Sequence, residues 1–134
     1  YQEAHYDDVV VDVATELQRS IERAIGCGVP WDRLVIDPGL GFAKRASHSF
    51  AILAALDRFA SLGRPVLVGP SRKSFLSLAA GAQPPQERDW ATAAAVTTAA
   101  LGGAHIVRVH RVAEMVEVVR VADAIRDHGE PGLR

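Results

Sequence analysis

The sequence predicts an α/β fold in which one helix is followed by three βα units with a parallel sheet. Three observations carry that prediction. Apolar residues recur at intervals of three and four through several long stretches, as helices with one buried face require. Three short runs of β-formers, Leu34-Val35-Ile36, Val66-Leu67-Val68 and Ile106-Val107-Arg108-Val109, punctuate those stretches, each followed by turn or polar residues. Strands that alternate with helices through short loops imply right-handed crossovers and therefore parallel pairing.

The first helix is expected from Asp7 to about Ile25. Val9, Val10, Val13, Ala14, Leu17, Ile21, Ala24 and Ile25 form its inner face, Asp7 or Asp8 opens it and Gly26 closes it. Leu34-Val35-Ile36 then reads as a strand buried on both faces, which Pro38 and Gly39 must end. Ser47 or Ser49 can cap a second helix through Leu62, with Phe50, Leu53, Leu56, Phe59 and Ala60 inward and Gly63 as its stop. Val66-Leu67-Val68 repeats the cycle, followed by a helical stretch from Ser74 to Ala80. A proline-bearing excursion from Gly81 to Arg88 leads into an alanine-rich helix from about Asp89 to Leu101, ended by Gly102-Gly103. The third strand runs to Val109, and a last amphipathic helix extends from about Val112 to Ile125. Gly129 to Arg134 is expected to fray.

At 134 residues the chain is long enough for one domain and too short for two. It is 49% apolar and 23% charged, a balance that supports a buried core rather than disorder. The net charge of −1 argues against nucleic acid or a membrane surface as partner, and no apolar run is long enough to span a bilayer. The one cysteine, Cys27, excludes an internal disulfide and points to a reducing, cytoplasmic setting. The opening Tyr1-Gln2-Glu3-Ala4-His5 is neither an apolar leader nor a Met start and reads as a cut end.

In parallel α/β folds ligands gather at the C-terminal ends of the strands, and all three ends here carry ionisable groups beside turn residues. Asp37 serves either as a turn-former or, beside Pro38, as a carboxylate for a ligand with two parallel N–H donors. Lys73 and Ser74 enter a helix, where a cation is disfavoured unless an anion or a carbonyl-rich ligand offsets it. Arg108 alternates with Val107 and Val109 and needs a carboxylate, a phosphate or a flat ring as partner. With His110 it forms either an anion clamp or a rim ion pair. Trp31, Trp90, Phe50 and Phe59 read as core or interface residues and His105 as structural. His5, His48, His105 and His128 show no metal-ligand spacing.

Asp37-Pro38-Gly39-Leu40-Gly41-Phe42-Ala43-Lys44, Val68-Gly69-Pro70-Ser71-Arg72-Lys73-Ser74-Phe75 and Arg108-Val109-His110 resemble, in order and spacing, the last three strand-end motifs of dihydropteroate synthases. The similarity runs from about residue 6 to 127. It implies a partial (β/α)8 TIM barrel: the helix after strand five plus units six to eight, as a single domain over 1–134. That family joins 6-hydroxymethyl-7,8-dihydropterin diphosphate to para-aminobenzoate, giving 7,8-dihydropteroate for folate synthesis. By resemblance Asp37 pairs with the pterin's amino and ring N–H groups, Lys73 hydrogen-bonds the pterin, and Ser74 lies near the aminobenzoate carboxylate. Arg108 lies against the pterin and borders the diphosphate with His110, while Gly41 and Phe42 line the pterin and aminobenzoate side, where sulfonamides compete. The resemblance implies Mg2+ for the complete enzyme, with no metal ligand on this segment, and dimers built from the last helices. Pterin-binding methyltransferase domains are a related alternative, and a non-catalytic half-barrel is one from a different class.

Overall fold

The computed structural model describes residues 8–42 and 45–129. Asp7, Lys44 and the tail beyond Gly129, each part of an expectation above, lie outside them.

Helix α1 spans Val9–Gly26, and the Asp8 carboxylate accepts hydrogen bonds from the backbone N–H groups of Val10 and Val11 at its start. Its buried face is Val9, Val10, Val13 and Ile21; Ile25, expected inside, is exposed near the helix end. After a single 3-10 turn, Trp31–Arg33, the chain reaches Ile36. The strand expected at Leu34-Val35-Ile36 contracts to one parallel bridge, Ile36 to Val66, and Val35 is exposed rather than buried on both faces. The physical reason is one-sided pairing. Ile36 donates to Pro65 and accepts from Leu67, no described segment pairs with its other edge, and Pro38 stops the ladder.

Helix α2 spans Ala46–Ala54 and gives way at Ala55 to a 3-10 stretch, Leu56–Leu62. The single helix through Leu62 is thus two pieces. Gly63 ends the second at φ 74°, where an L side chain would be strained. Neither Ser47 nor Ser49 caps α2: its N-cap is Arg45, whose backbone N–H donates to His48 Nδ1. Ile52, Leu53, Leu56 and Phe59 form the inner face, whereas Ala60 is exposed and Phe50 only half-buried.

Strand β1 is Leu67–Val68 and strand β2 is Ile106–Val107, paired in parallel with Leu67 opposite Ile106. The expected three-stranded sheet is therefore a two-stranded one with Ile36 bridged to its outer edge, in the expected order. Beyond Val107 only the Arg108 N–H continues the ladder, to Val68. Between the strands lie a 3-10 turn, Ser74–Leu76, and helix α3, Ser77–Ala80, so the expected helix from Ser74 is also split. Helix α4 spans Asp89–Leu101 and helix α5 spans Val112–Asp127. The core joins α1, Leu40, α2, β1, Phe75, Leu76 and α4, with Phe59, Ile52, Leu40 and Val68 fully enclosed. Burying such side chains contributes ~1.5–3 kcal/mol each, enough to hold the three strand ends on one side of the layer. These parallel strands with helices against them make part of an α/β barrel.

Of the aromatic residues, Phe59 is core, and Phe50 meets Phe75 edge-on at 5.3 Å. Trp31 is exposed beneath the Arg64 guanidinium, 4.9 Å from the ring centre, and Trp90 is 90% exposed. His105 is structural, its Nδ1 accepting the Val66 N–H at 3.1 Å. Among the described residues no helix is long and apolar enough to cross a membrane.

Candidate functional site

Three loops leave the C-terminal ends of the parallel segments: 37–42 after Ile36, 69–73 after β1, and 108–110 after β2. Parallel strands put all three on one rim.

Asp37 uses one carboxylate oxygen, Oδ1, to accept the Gly39 N–H at 2.8 Å. It does form a local turn, and its other oxygen has no basic partner among the described residues. Leu40 is buried behind it, and Gly39 and Gly41 take φ of 73° and 80°, conformations open to glycine. The loop is pinned from below by Ser49 of α2, fully buried, whose Oγ accepts the Gly41 N–H at 3.0 Å. Phe42 is consequently held half-exposed at the rim.

Lys73 links this loop to the next. Its Nζ donates to the Leu40 carbonyl at 2.7 Å and lies 4.4 Å from the centre of the Phe42 ring, a cation–π contact. A Cβ at Gly41 would come within 3.1 Å of the Lys73 stem, so a side chain there would press on the lysine. Ser74 follows, exposed, at the first position of its 3-10 turn.

Arg72, next to Lys73, turns toward the start of α4. Its φ is 59°, the one positive value at a non-glycine among the described residues, and three groups from the start of α4 hold it there. Thr92 Oγ1 accepts its N–H at 3.0 Å, Arg88 donates to its carbonyl at 2.7 Å, and Asp89 pairs with its guanidinium at 2.9 Å. A strained backbone persists where its surroundings over-determine it, and here the strain separates two adjacent cations.

The Arg72 hydrogen bond is the main reason the Asp89 carboxyl sits below its ordinary value of 3.8, with the charges of Arg72, Arg111 and His110 adding to it. A carboxyl whose folded pKa is depressed contributes stability above its unfolded value and loses it as pH falls through the folded one. Unfolding followed at stepped pH below 3.8 should therefore show a shallower acid loss in Asp89→Asn than in the parent. An identical acid limb would contradict the clamp.

Arg108 lies across Gly69: a Cβ there would sit 2.7 Å from one guanidinium nitrogen and 3.1 Å from the carbon. No carboxylate of the described residues pairs with Arg108. A strand extended through Val109 would project His110 beside Arg108; instead His110 bends back where the strand has ended, its Nδ1 2.7 Å from Ser71 Oγ. The strand ends at Val107, so the side-to-side alternation that would align Arg108 with His110 no longer holds.

The structure thus brings Gly41, Phe42 and Lys73 into direct contact, ties His110 to the 69–73 loop, and lays Arg108 on that same loop. Asp37 shares the rim through its own loop, and Ser74 stands beside Lys73 without a side-chain bond to the others. Ser71, Thr92 and Asp89 were not singled out from sequence as site residues, and Ser49 was expected only as a helix cap. A polar residue at the start of α4 and serines flanking the motifs were the available signals. Among the described residues no group of three or more His, Cys, Asp or Glu could hold a metal ion.

The geometry has counterparts among known proteins. Residues 1–110 match the family described as pterin binding enzyme. The chain is 45% identical over 129 residues to the dihydropteroate synthase of Mycobacterium leprae, covering 92% of this chain and 45% of that protein. The dihydropteroate synthase of Xanthomonas albilineans in complex with 7,8-dihydropteroate matches with a TM-score of 0.90 at 38% identity, over 96% of this chain and 51% of that one. The Thermus thermophilus dihydropteroate synthase in complex with 6HMPPP gives a TM-score of 0.84 at 39% identity, over 91% of this chain and 48% of that one. The chain spans about half the length of these relatives. With the family matched over 110 residues and the strand-end loops on one rim, the chain belongs to the pterin-binding enzyme family.

Proposed function

We propose that this chain carries the pterin-diphosphate-facing half of a dihydropteroate synthase. The observation that carries this reading is Lys73, which ties the 69–73 loop to the Leu40 carbonyl and the Phe42 ring of the Asp37 loop, on the same rim as Arg108. An ammonium held by a carbonyl and an aromatic face suits a flat, carbonyl-bearing heterocycle. Asp37, whose second oxygen has no partner among the described residues, suits the paired N–H donors of its 2-amino edge. Arg108, with no carboxylate partner among the described residues, suits the diphosphate, and that anion favours a synthase over a methyltransferase domain. Ser74 and Phe42 take the para-aminobenzoate side, where sulfonamides would compete.

In the reaction the carbon–oxygen bond between the pterin methylene and the diphosphate breaks. The amine nitrogen of para-aminobenzoate bonds to that carbon and loses one proton. Positive charge fixed at Arg108 and a donor at His110 stabilise the departing anion, while Asp37 and Lys73 hold the ring so that the methylene faces the amine. In this reading Mg2+ belongs to the complete enzyme, with its ligands on another segment, and we place that enzyme in the cytoplasm. Copies of the chain associate, as argued below.

Titration of the chain with 6-hydroxymethyl-7,8-dihydropterin diphosphate tests the reading: saturable binding is expected, and none would overturn it. A coupled assay should meanwhile find no diphosphate release dependent on para-aminobenzoate, because half a site does not exclude water or neutralise the leaving group. Release by the chain alone would refute the assignment of the remaining machinery to another segment.

A further inference from the structure

We propose that Ser71 is a positioning residue that fixes the tautomer of His110, turning the ring's Nε2–H toward an anion on the rim. The inference rests on the diphosphate reading of that rim.

Ser71 is only 9% exposed. Its Oγ lies 2.7 Å from His110 Nδ1 and accepts the His110 backbone N–H at 3.1 Å. A serine hydroxyl has one hydrogen and two lone pairs. The backbone N–H can only donate, so it occupies one lone pair. The shorter contact contains one proton, supplied by the hydroxyl or by the ring. If the neutral ring supplied it, Ser71 would accept twice, and its own hydrogen would have no acceptor among the described residues. A buried donor left unpaired is costly. If the hydroxyl supplies it, every group is satisfied: Ser71 donates to Nδ1, and the ring carries its proton on Nε2.

Nε2 bonds no described residue, and His110 is exposed on the same rim as Arg108. With the proton on Nε2 the ring offers an anion a donor; the opposite tautomer would offer it a lone pair. Because Ser71 also binds the His110 backbone, one hydroxyl sets both the place of the loop and the polarity of the ring. The contact joins residues 39 apart in sequence, so it also locks the loop after β1 to the loop after β2.

The test uses the 134-residue chain and two readouts. Imidazole nitrogen NMR should show His110 as the Nε2-protonated neutral tautomer, a mixture of tautomers in Ser71→Ala, and restoration in Ser71→Thr. Inorganic diphosphate, titrated into the same three proteins, should bind Ser71→Ala about tenfold more weakly than the parent, with recovery in Ser71→Thr. A purely structural serine would lower thermal stability without moving the tautomer. An Nδ1-protonated His110 in the parent, or an unchanged tautomer in Ser71→Ala, overturns the proposal even where diphosphate binds. A parent that shows the expected tautomer but binds no diphosphate overturns the reading of the rim, and with it the role given to the serine. Should Ser71→Ala not fold, Ser71→Thr and the parent still decide the matter through the tautomer they share or do not share.

Discussion

Asp37→Asn should weaken binding of 6-hydroxymethyl-7,8-dihydropterin diphosphate about 100-fold while leaving the fold intact. The amide oxygen can still accept the Gly39 N–H, so the turn at 2.8 Å survives and stability should change by less than ~1 kcal/mol. What is lost is the negative charge and one acceptor facing the ligand. A hydrogen bond to a charged group contributes ~1.5–3 kcal/mol, and an NH2 group turned toward the pterin's own N–H groups adds repulsion. A loss of ~2.7 kcal/mol corresponds to the 100-fold stated. Calorimetric titration of parent and variant, with thermal unfolding in parallel, reads both quantities. Equal affinity in the two proteins would return Asp37 to a turn-former and nothing more.

The second large effect concerns association. At micromolar concentration the chain should sediment as a dimer or larger species. Ile36 and β2 each present an outer edge with no described partner, and unpaired edges invite pairing with another chain. Val35 and Ile106 are 48% and 43% exposed at those edges. On the other side a groove of about 790 Å³ runs between α4 and α5, lined by Trp90, Met115, Val118, Val121 and Ile125. Trp90 at 90% exposed, with Val121 and Ile125 near 60%, is an apolar patch of a kind monomers seldom leave open. Covering one such aliphatic side chain recovers ~1.5–3 kcal/mol, and Trp is among the residues enriched as anchors at interfaces. Trp90→Glu combined with Ile125→Glu should therefore weaken association about 100-fold, ~2.7 kcal/mol, with little change in the helices. A parent that sediments as a cooperative, well-folded monomer would contradict this account of both faces.

What could be read from the sequence was mostly local. Asp8 as a cap, Gly63 and Gly102 as stops, and the extents of α1, α4 and α5 follow from neighbours within a turn or two. The order of the three strand ends also follows, since parallel α/β connectivity leaves little choice. Strand length did not. Val35 has β-forming chemistry and still lies exposed, because a strand is defined by its partners and Ile36 has a partner on one side only. The run Ser71-Arg72-Lys73-Ser74 pointed to Lys73 and Ser74 without showing what holds Arg72. Asp89 and Thr92, 17 and 20 residues away, grip it. Likewise Ser49 reaches back 8 residues to Gly41, and Ser71 forward 39 to His110. Local periodicity carries no information about such distant hydrogen bonds. Arg108 shows the same limit from the other side: its alternation with valines placed it facing the ligand, but only the fold shows it resting on Gly69.

The most direct test of the central claim is to map backbone amide shifts of the chain as 6-hydroxymethyl-7,8-dihydropterin diphosphate is added. The largest changes are expected on Asp37, Gly41, Phe42, Lys73, Ser74, Arg108 and His110, from three segments far apart in sequence and together on one rim. Changes centred instead on the groove between α4 and α5, around Trp90 and Met115, would contradict it.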